Sequence, residues 1–230
     1  MIKKFQEGYL LQNKTPKQFL ERRIAILFGI NSMSMRALDI VCEEMCVEKG
    51  FKRDDGQDFY NHCIDVANTL ISFGITNEDA ICAGLLHDII EDVKGFTYDV
   101  ISKLFNSNVA RLVMLLTKKR NVDYKKEENI SEYLDLISED IYAAAIKTAD
   151  RMDNMMTLQE KTFESRYNKA LETEKYYLPF FKYCRKLYPR YENLFYAART
   201  QIYPLIFEIK SFYGEIQKLN KKIEQLNIPC

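Results

Sequence analysis

TNEDAICAGLLHDIIEDV, residues 76–93, decides the fold and also holds its least ordinary chemistry. Thr76 or Asn77 is placed to cap a helix, and Glu78 and Asp79 sit in its first turn, where the helix dipole favours negative charge. Leu85, Leu86, Ile89 and Ile90 then give the spacing of a helix buried on one side. The same period recurs on either side. It predicts helices in TPKQFLERRIAILFG (15–29), NSMSMRALDIVCEEMCVEKG (31–50), DFYNHCIDVANTLISFG (58–74), TYDVISKLF (97–105), VARLVMLLTK (109–118), NISEYLDLIS (129–138) and EDIYAAAIKTADRMDNMMTLQEK (139–161). No Asn-Gly or Asp-Gly turn separates alternating apolar runs, so hairpins are not expected. The expected fold class is all-α.

From about residue 164 the chain becomes aromatic, and Pro179, Pro189 and Pro204 are expected to divide it into separate helices. Beyond Pro204, Ile209, Phe212, Ile216, Leu219, Ile223 and Leu226 recur at spacings of three and four. That seam is shorter than the three to four heptads that would argue for a coiled coil. It favours a helix packed on its own domain, and leaves a homo-oligomer open. The expected division is an N-terminal helical segment over 1–30, one domain over 31–205 and a C-terminal helix over 206–230.

With 230 residues, 47% of them hydrophobic, and only 8 Gly and 5 Pro, the chain should bury a substantial core. Lys+Arg and Asp+Glu balance at 33 each, which does not favour a nucleic-acid partner. The six cysteines form no CxxC pair, and Cys42 and Cys46 read as packed thiols rather than metal ligands. MIKKFQEGYL lacks the apolar core of a signal peptide, and no apolar run approaches the roughly 20 residues that span a bilayer. A cytoplasmic protein with no membrane association is expected.

Within LLHDIIED (85–92), residues four apart would share a helical face, stacking His87 with Glu91 and Asp88 with Asp92. The bland reading is a satisfied polar network at a helix end. Against it, the chain has only two histidines, His62 and His87, both on helices with apolar faces. Asp150, on another helix, lies among Ile146, Ala149, Met152 and Met155, with Asn154 and Thr157 one and two turns along its face. Buried carboxylates need a charge partner, and a divalent cation held by His62, His87, Asp88 and Asp150 would supply one. The mixed nitrogen and oxygen donors suit a catalytic Mn, Fe or Zn centre, leaning toward Mn or Fe.

The order His, His-Asp, then a distant Asp resembles the signature of the HD-domain metallohydrolases. HDIIED, VARLVMLLTK, AIKTADRMDNMMTL and ETEKYYLPF, in that order, resemble the hydrolase half of the RelA/SpoT enzymes, and FKRDDGQDFYNHCIDVANTL resembles that family's first metal-ligand segment. The resemblance covers about residues 35 to 205. It implies an HD-domain helical bundle with a C-terminal helical extension. It also implies one Mn ion per chain and hydrolysis of the alarmone (p)ppGpp, a small-molecule nucleotide, to GDP or GTP and pyrophosphate. Residue by residue, it makes His62, His87, Asp88 and Asp150 metal ligands and Glu91 and Asp92 the acidic pair that handles the attacking water. Lys52 and Arg53 fall at substrate-contacting positions, and Asn154 and Thr157 match residues lining the nucleotide pocket. The departures are Asp54 for a second basic residue, Cys63 for the proline after His62, Gln57-Asp58-Phe59 for Glu-Pro-Tyr, and Asp153 where a histidine is common. None of them replaces a metal ligand.

A dinuclear HD phosphodiesterase would need further histidines. A mononuclear HD nucleotidase or dNTP triphosphohydrolase is the second reading, because it uses a similar ligand set without the ADRxxN segment and the Glu91-Asp92 pair. A non-enzymatic module ranks third. Only about 25 residues follow the resemblance, too few for a second catalytic domain, so a hydrolase-only small alarmone hydrolase is expected.

Overall fold

The computed structural model describes residues 15–225, and it is helical throughout apart from turns and one isolated bridge between Lys52 and Asp58. Residues 1–14 of the expected N-terminal segment, and Leu226 and Cys230, lie outside that range. Among the described residues no helix is long and apolar enough to cross a membrane. The chain forms two compact units, divided between Met114 and Leu115.

The first unit opens with α1 (Pro16–Phe28), started by a capping box in which Thr15 and Gln18 satisfy each other's backbone N–H groups. Ser32 caps α2 (Met33–Glu44), and a 3-10 turn at Val47–Lys49 leads into the loop before α3 (Tyr60–Ser72). Asn77, the second of the two expected caps, accepts the Ala80 N–H and starts α4 (Glu78–Leu86). There the structure departs from the sequence reading. The helix expected to run through residue 92 stops at Leu86, His87 and Asp88 form a turn, and α5 (Ile89–Asp92) follows. Thr97 caps α6 (Tyr98–Leu104), and α7 (Ser107–Leu116) contains the division between the units.

The core of this unit is the packing of α4 on α2 and α3. Leu38 and Val41 of α2, Ile64, Ala67 and Leu70 of α3, and Ile81, Cys82 and Leu85 of α4 are fully buried. Burying such side chains contributes about 1.5–3 kcal/mol each, so α3 and α4 are fixed against one another. Cys42 and Cys46 are half-buried free thiols, as expected of packing residues, and burial pushes the Cys42 thiol up to about 11.

In the second unit, α8 (Glu127–Ser138) precedes α9 (Ile141–Met156), which Asp140 caps by accepting the Tyr142 and Ala143 N–H groups. Ala143, Ala144, Ala145 and Ile146 are fully buried, and the small side chains of the three alanines leave room for neighbouring helices close to α9. α10 (Phe163–Glu172) passes through a π turn (Thr173–Tyr177) into α11 (Leu178–Leu187). Pro179 stands in the first turn of α11, where a proline is tolerated, and so starts that helix rather than dividing the chain.

Pro204 likewise fails to break the chain. α12 runs unbroken from Glu192 to Gln225. Pro204 and Thr200, whose carbonyl loses its usual partner to the proline, are both exposed to water, while Ile202 and Ile206 on either side anchor the helix in the core.

Arg151 of α9 ties these helices together. Its guanidinium donates to both Glu172 oxygens (3.0 and 3.4 Å) and to Thr173 Oγ1 (3.2 Å), and lies 3.5 Å from the centre of the Tyr177 ring. The π turn, one residue wider per turn than an α-helix, brings Thr173 and Tyr177 to bear on the same group. Burial alone would raise the Glu172 carboxyl, but Arg151 and Lys169 outweigh it and hold it at about 2, below its ordinary 4.5. Because the folded value is depressed, Glu172 adds stability above pH 4.5 and loses it as the pH falls toward 2. Glu172→Gln should therefore cost roughly 3 kcal/mol at neutral pH, by leaving a buried guanidinium without its carboxylate. Urea unfolding across the acid range checks this: the wild type should lose its advantage over the variant below pH 4.5, and parallel curves would contradict the assignment.

Candidate metal centre

Because α3 and α4 are locked together, His62 from the first turn of α3 and His87 from the end of α4 meet in the interior, 4% and 2% exposed. Their Nε2 atoms stand 3.2 Å apart. Asp88 Oδ2 lies 3.3 Å from His87 Nε2 and 3.8 Å from His62 Nε2. On a regular helix adjacent residues do not share a face. The turn at residues 87–88, with Asp88 at ψ −6, lets Asp88 turn toward the imidazole beside it.

Backbone fixes the chemistry of these atoms. The Gly84 carbonyl lies 2.8 Å from His87 Nδ1, so Nδ1 carries the proton and donates it, leaving Nε2 with a lone pair. A hydrogen bond from the far ring nitrogen is the usual way a protein orients a metal-binding imidazole. The His87 Nε2 lone pair therefore stands beside His62 Nε2 and a carboxylate oxygen in a buried place, an arrangement which a cation would satisfy. Two of their separations, 3.2 and 3.3 Å, fall between the about 3.0 Å and about 3.4 Å expected between neighbouring ligands of an octahedral or tetrahedral ion with bonds near 2.1 Å, and the third is wider at 3.8 Å. These three residues form the one His/Cys/Asp/Glu group among the described residues with metal-site geometry. They fit a divalent ion.

Glu91 and Asp92 lie one turn on, their N–H groups both bonded to the Asp88 carbonyl at 3.1 Å. Glu91 is half-buried and Asp92 exposed. Desolvation of its carboxyl, then the charges of Asp88 and Glu91, push Asp92 up to about 6. The helix expected to carry both ridges without a break is interrupted at residues 87–88, while Asp92 keeps the four-residue helical bond to Asp88. Lys52 and Arg53 stand in the loop before α3, pinned by the Lys52–Asp58 bridge and by Arg53 N–H donating to the Gln57 carbonyl at 2.7 Å. Asp58 in turn accepts the Val47 N–H at 2.8 Å, a structural use for one of the departures from the RelA/SpoT pattern.

Asp150, Asn154 and Thr157 belong to the second unit. Asp150 is 5% exposed, Lys147 Nζ lies 2.9 Å from its Oδ2, and Asn154 donates to its Oδ1 and, at 3.0 Å, to its backbone carbonyl. Thr157 donates to the Asp153 carbonyl. Lys147 is the residue that sequence reasoning missed, although its position three before Asp150 was a signal of pairing on one helix face. Burial alone would lower the Lys147 pKa, but Asp150 outweighs it and holds the pKa well above the ordinary lysine value. Lys118 shares this polar interior, and burial followed by the Lys147 charge lowers its pKa.

Comparison with known proteins agrees with the geometry. The HD-domain family profile matches residues 37–182. A guanosine-3′,5′-bis(diphosphate) 3′-pyrophosphohydrolase of Aquifex aeolicus is 37% identical over 130 residues, which are 56% of this chain and 18% of that protein. A probable enzyme of the same name from Mycoplasma pneumoniae is 28% identical over 185 residues, 74% of this chain and 24% of that protein. The chain therefore spans no more than about a quarter of the length of these relatives. A solved structure of a metazoan ortholog of SpoT, described as hydrolysing ppGpp and playing a role in starvation responses, shares the fold. It aligns with a TM-score of 0.54 at 22% identity, over 79% of this chain and 96% of that one. The expected likeness to the RelA/SpoT hydrolases is borne out.

If the three converging residues hold an ion, Mn2+ should raise the Tm and a chelator should lower it, because an ion that binds only the folded chain adds its binding free energy to stability. His87→Ala and Asp88→Ala should each abolish the Mn2+ shift in a thermal melt. An undiminished shift in both variants would place the ion elsewhere.

Proposed function

The chain belongs to the HD-domain family, and on that premise we propose that it hydrolyses (p)ppGpp, releasing the 3′-pyrophosphate to leave GDP or GTP. The observation that carries this reading is the convergence of His62, His87 and Asp88 on one buried point, with Glu91 and Asp92 on the next turn. The names of the relatives supply the substrate class. We take the ion to be a single Mn2+, which the mixed nitrogen and oxygen donor set suits, with Fe or Zn as the other candidates.

Asp150 is proposed as the fourth ligand. Its support is its place in ADRMDN and the clamp that Lys147 and Asn154 put on its two oxygens. When bound, the ion would contribute positive charge at the scissile phosphate and make a water molecule more acidic.

The residues of the chain then divide the remaining work. Glu91 accepts a proton from the water as its oxygen bonds to phosphorus. The bond from that phosphorus to the ribose 3′ oxygen breaks, and the departing oxygen takes a proton from Asp92, whose carboxyl is pushed up by desolvation and by the charges of Asp88 and Glu91. Arg53 and Lys52 offset the phosphate charge, with Arg53 able to grip two oxygens at once. Asn154 and Thr157 are assigned to the nucleoside. Turnover of this kind needs no membrane or nucleic acid, and we place it in the cytoplasm.

Kinetics with Mn2+ on ppGpp, its adenosine analogue and dGTP test the proposal. Glu91→Gln should keep the metal-dependent melting shift while losing on the order of 100- to 10,000-fold in kcat. Arg53→Ala should weaken ppGpp turnover, and Asn154→Ala should alter the choice between guanosine and adenosine substrates. A wild type that cleaves dGTP and leaves ppGpp intact would replace this reading with that of a nucleotidase or dNTP triphosphohydrolase.

A further inference from the structure

The stripe of α12 that packs the second unit does not end where its cover ends. Phe195, Ala198, Ile202 and Ile206 are buried on it. Further along, Phe163 meets the Phe212 ring edge-on at 5.2 Å, and Tyr167 stacks on Tyr213 at 3.8 Å. Past that point the same stripe continues as Ile216, Leu219 and Ile223, yet from Glu215 to Gln225 every residue but Ile216 is exposed. Phe212, Leu219 and Ile223 are 55%, 57% and 36% exposed. A helix face with this period is a seam for another helix.

We propose that the seam is covered by a second copy of this chain, the two α12 helices running antiparallel. Assigning Ile209, Ile216 and Ile223 to one core position of the heptad and Phe212 and Leu219 to the other puts Glu215 and Lys222 at equivalent flanking positions. In an antiparallel pair centred on Ile216 and Leu219, Ile216 packs on Leu219 of the partner subunit, and Phe212 packs on Ile223 of the partner subunit. Glu215 then faces Lys222 of the partner subunit, and the symmetry makes that pair twice. In a parallel pair Glu215 would face the neutral Asn220 of the partner subunit, so the charges select the antiparallel arrangement. The seam is short for a free peptide. Here the unfavourable nucleation of the helix is already met by its packed first half, so the cost that defeats short isolated coils is absent.

Sedimentation equilibrium of the full chain across micromolar concentrations tests this, with melting curves as the control for folding. The wild type should reach twice the protomer mass, and Leu219→Glu and Ile223→Glu, at exposed positions, should sediment as monomers that still melt cooperatively, with a Tm that no longer depends on protein concentration. Glu215→Lys and Lys222→Glu should each weaken dimerisation roughly tenfold by turning two attractive pairs repulsive. The double substitution E215K/K222E should restore it. A wild type that stays monomeric would overturn the proposal. A dimer that survives Leu219→Glu, or single charge reversals without effect, would overturn it as well.

Discussion

The site depends on a lapse in one helix. α4 stops at Leu86 and α5 begins at Ile89, so His87 and Asp88 are released from the rule that adjacent residues on a helix point apart. Both stay in right-handed helical conformation, so the chain keeps its course while the hydrogen-bond ladder lapses. The Gly84 carbonyl takes the His87 ring N–H, and the Asp88 carbonyl takes the N–H groups of Glu91 and Asp92. One turn thus points an imidazole lone pair and a carboxylate at the same place, and hangs two more carboxylates from the next turn. The packing of α4 on α3 supplies the second imidazole.

Much of this was legible in the residues. Apolar spacing places the helices, and Asn77, one of the two caps the sequence offers, starts α4. The pairing of His62 with His87-Asp88 could be anticipated because two histidines on apolar helix faces are costly unless they share a purpose. The lapse at residues 87–88 could not, since LLHDIIED has helical spacing throughout and periodicity does not register the bond from the His87 ring to the Gly84 carbonyl. Pro204 misled in the opposite sense. A proline breaks a helix by orphaning a carbonyl, and on an exposed face water relieves that loss.

The second unit shows how charge can be kept inside a fold. Lys147, Asp150, Arg151 and Glu172 are buried or half-buried, yet each has an opposite charge within 3.0 Å. The sequence hid this because its charges balance over the chain, whereas the pairing is local to α9 and the π turn. Lys147 in particular means that Asp150 does not depend on a cation to be tolerated in the interior. Any role for Asp150 as a ligand must compete with, or be oriented by, that ammonium.

The central claim is that His62, His87 and Asp88 hold one ion through nitrogen and oxygen. X-ray absorption at the manganese edge of Mn-loaded protein tests it most directly. The account predicts a coordination shell containing two imidazoles, visible in the scattering from their outer ring atoms, with the remaining positions oxygen. A shell of oxygen atoms alone, in protein that holds a full equivalent of manganese, would contradict it.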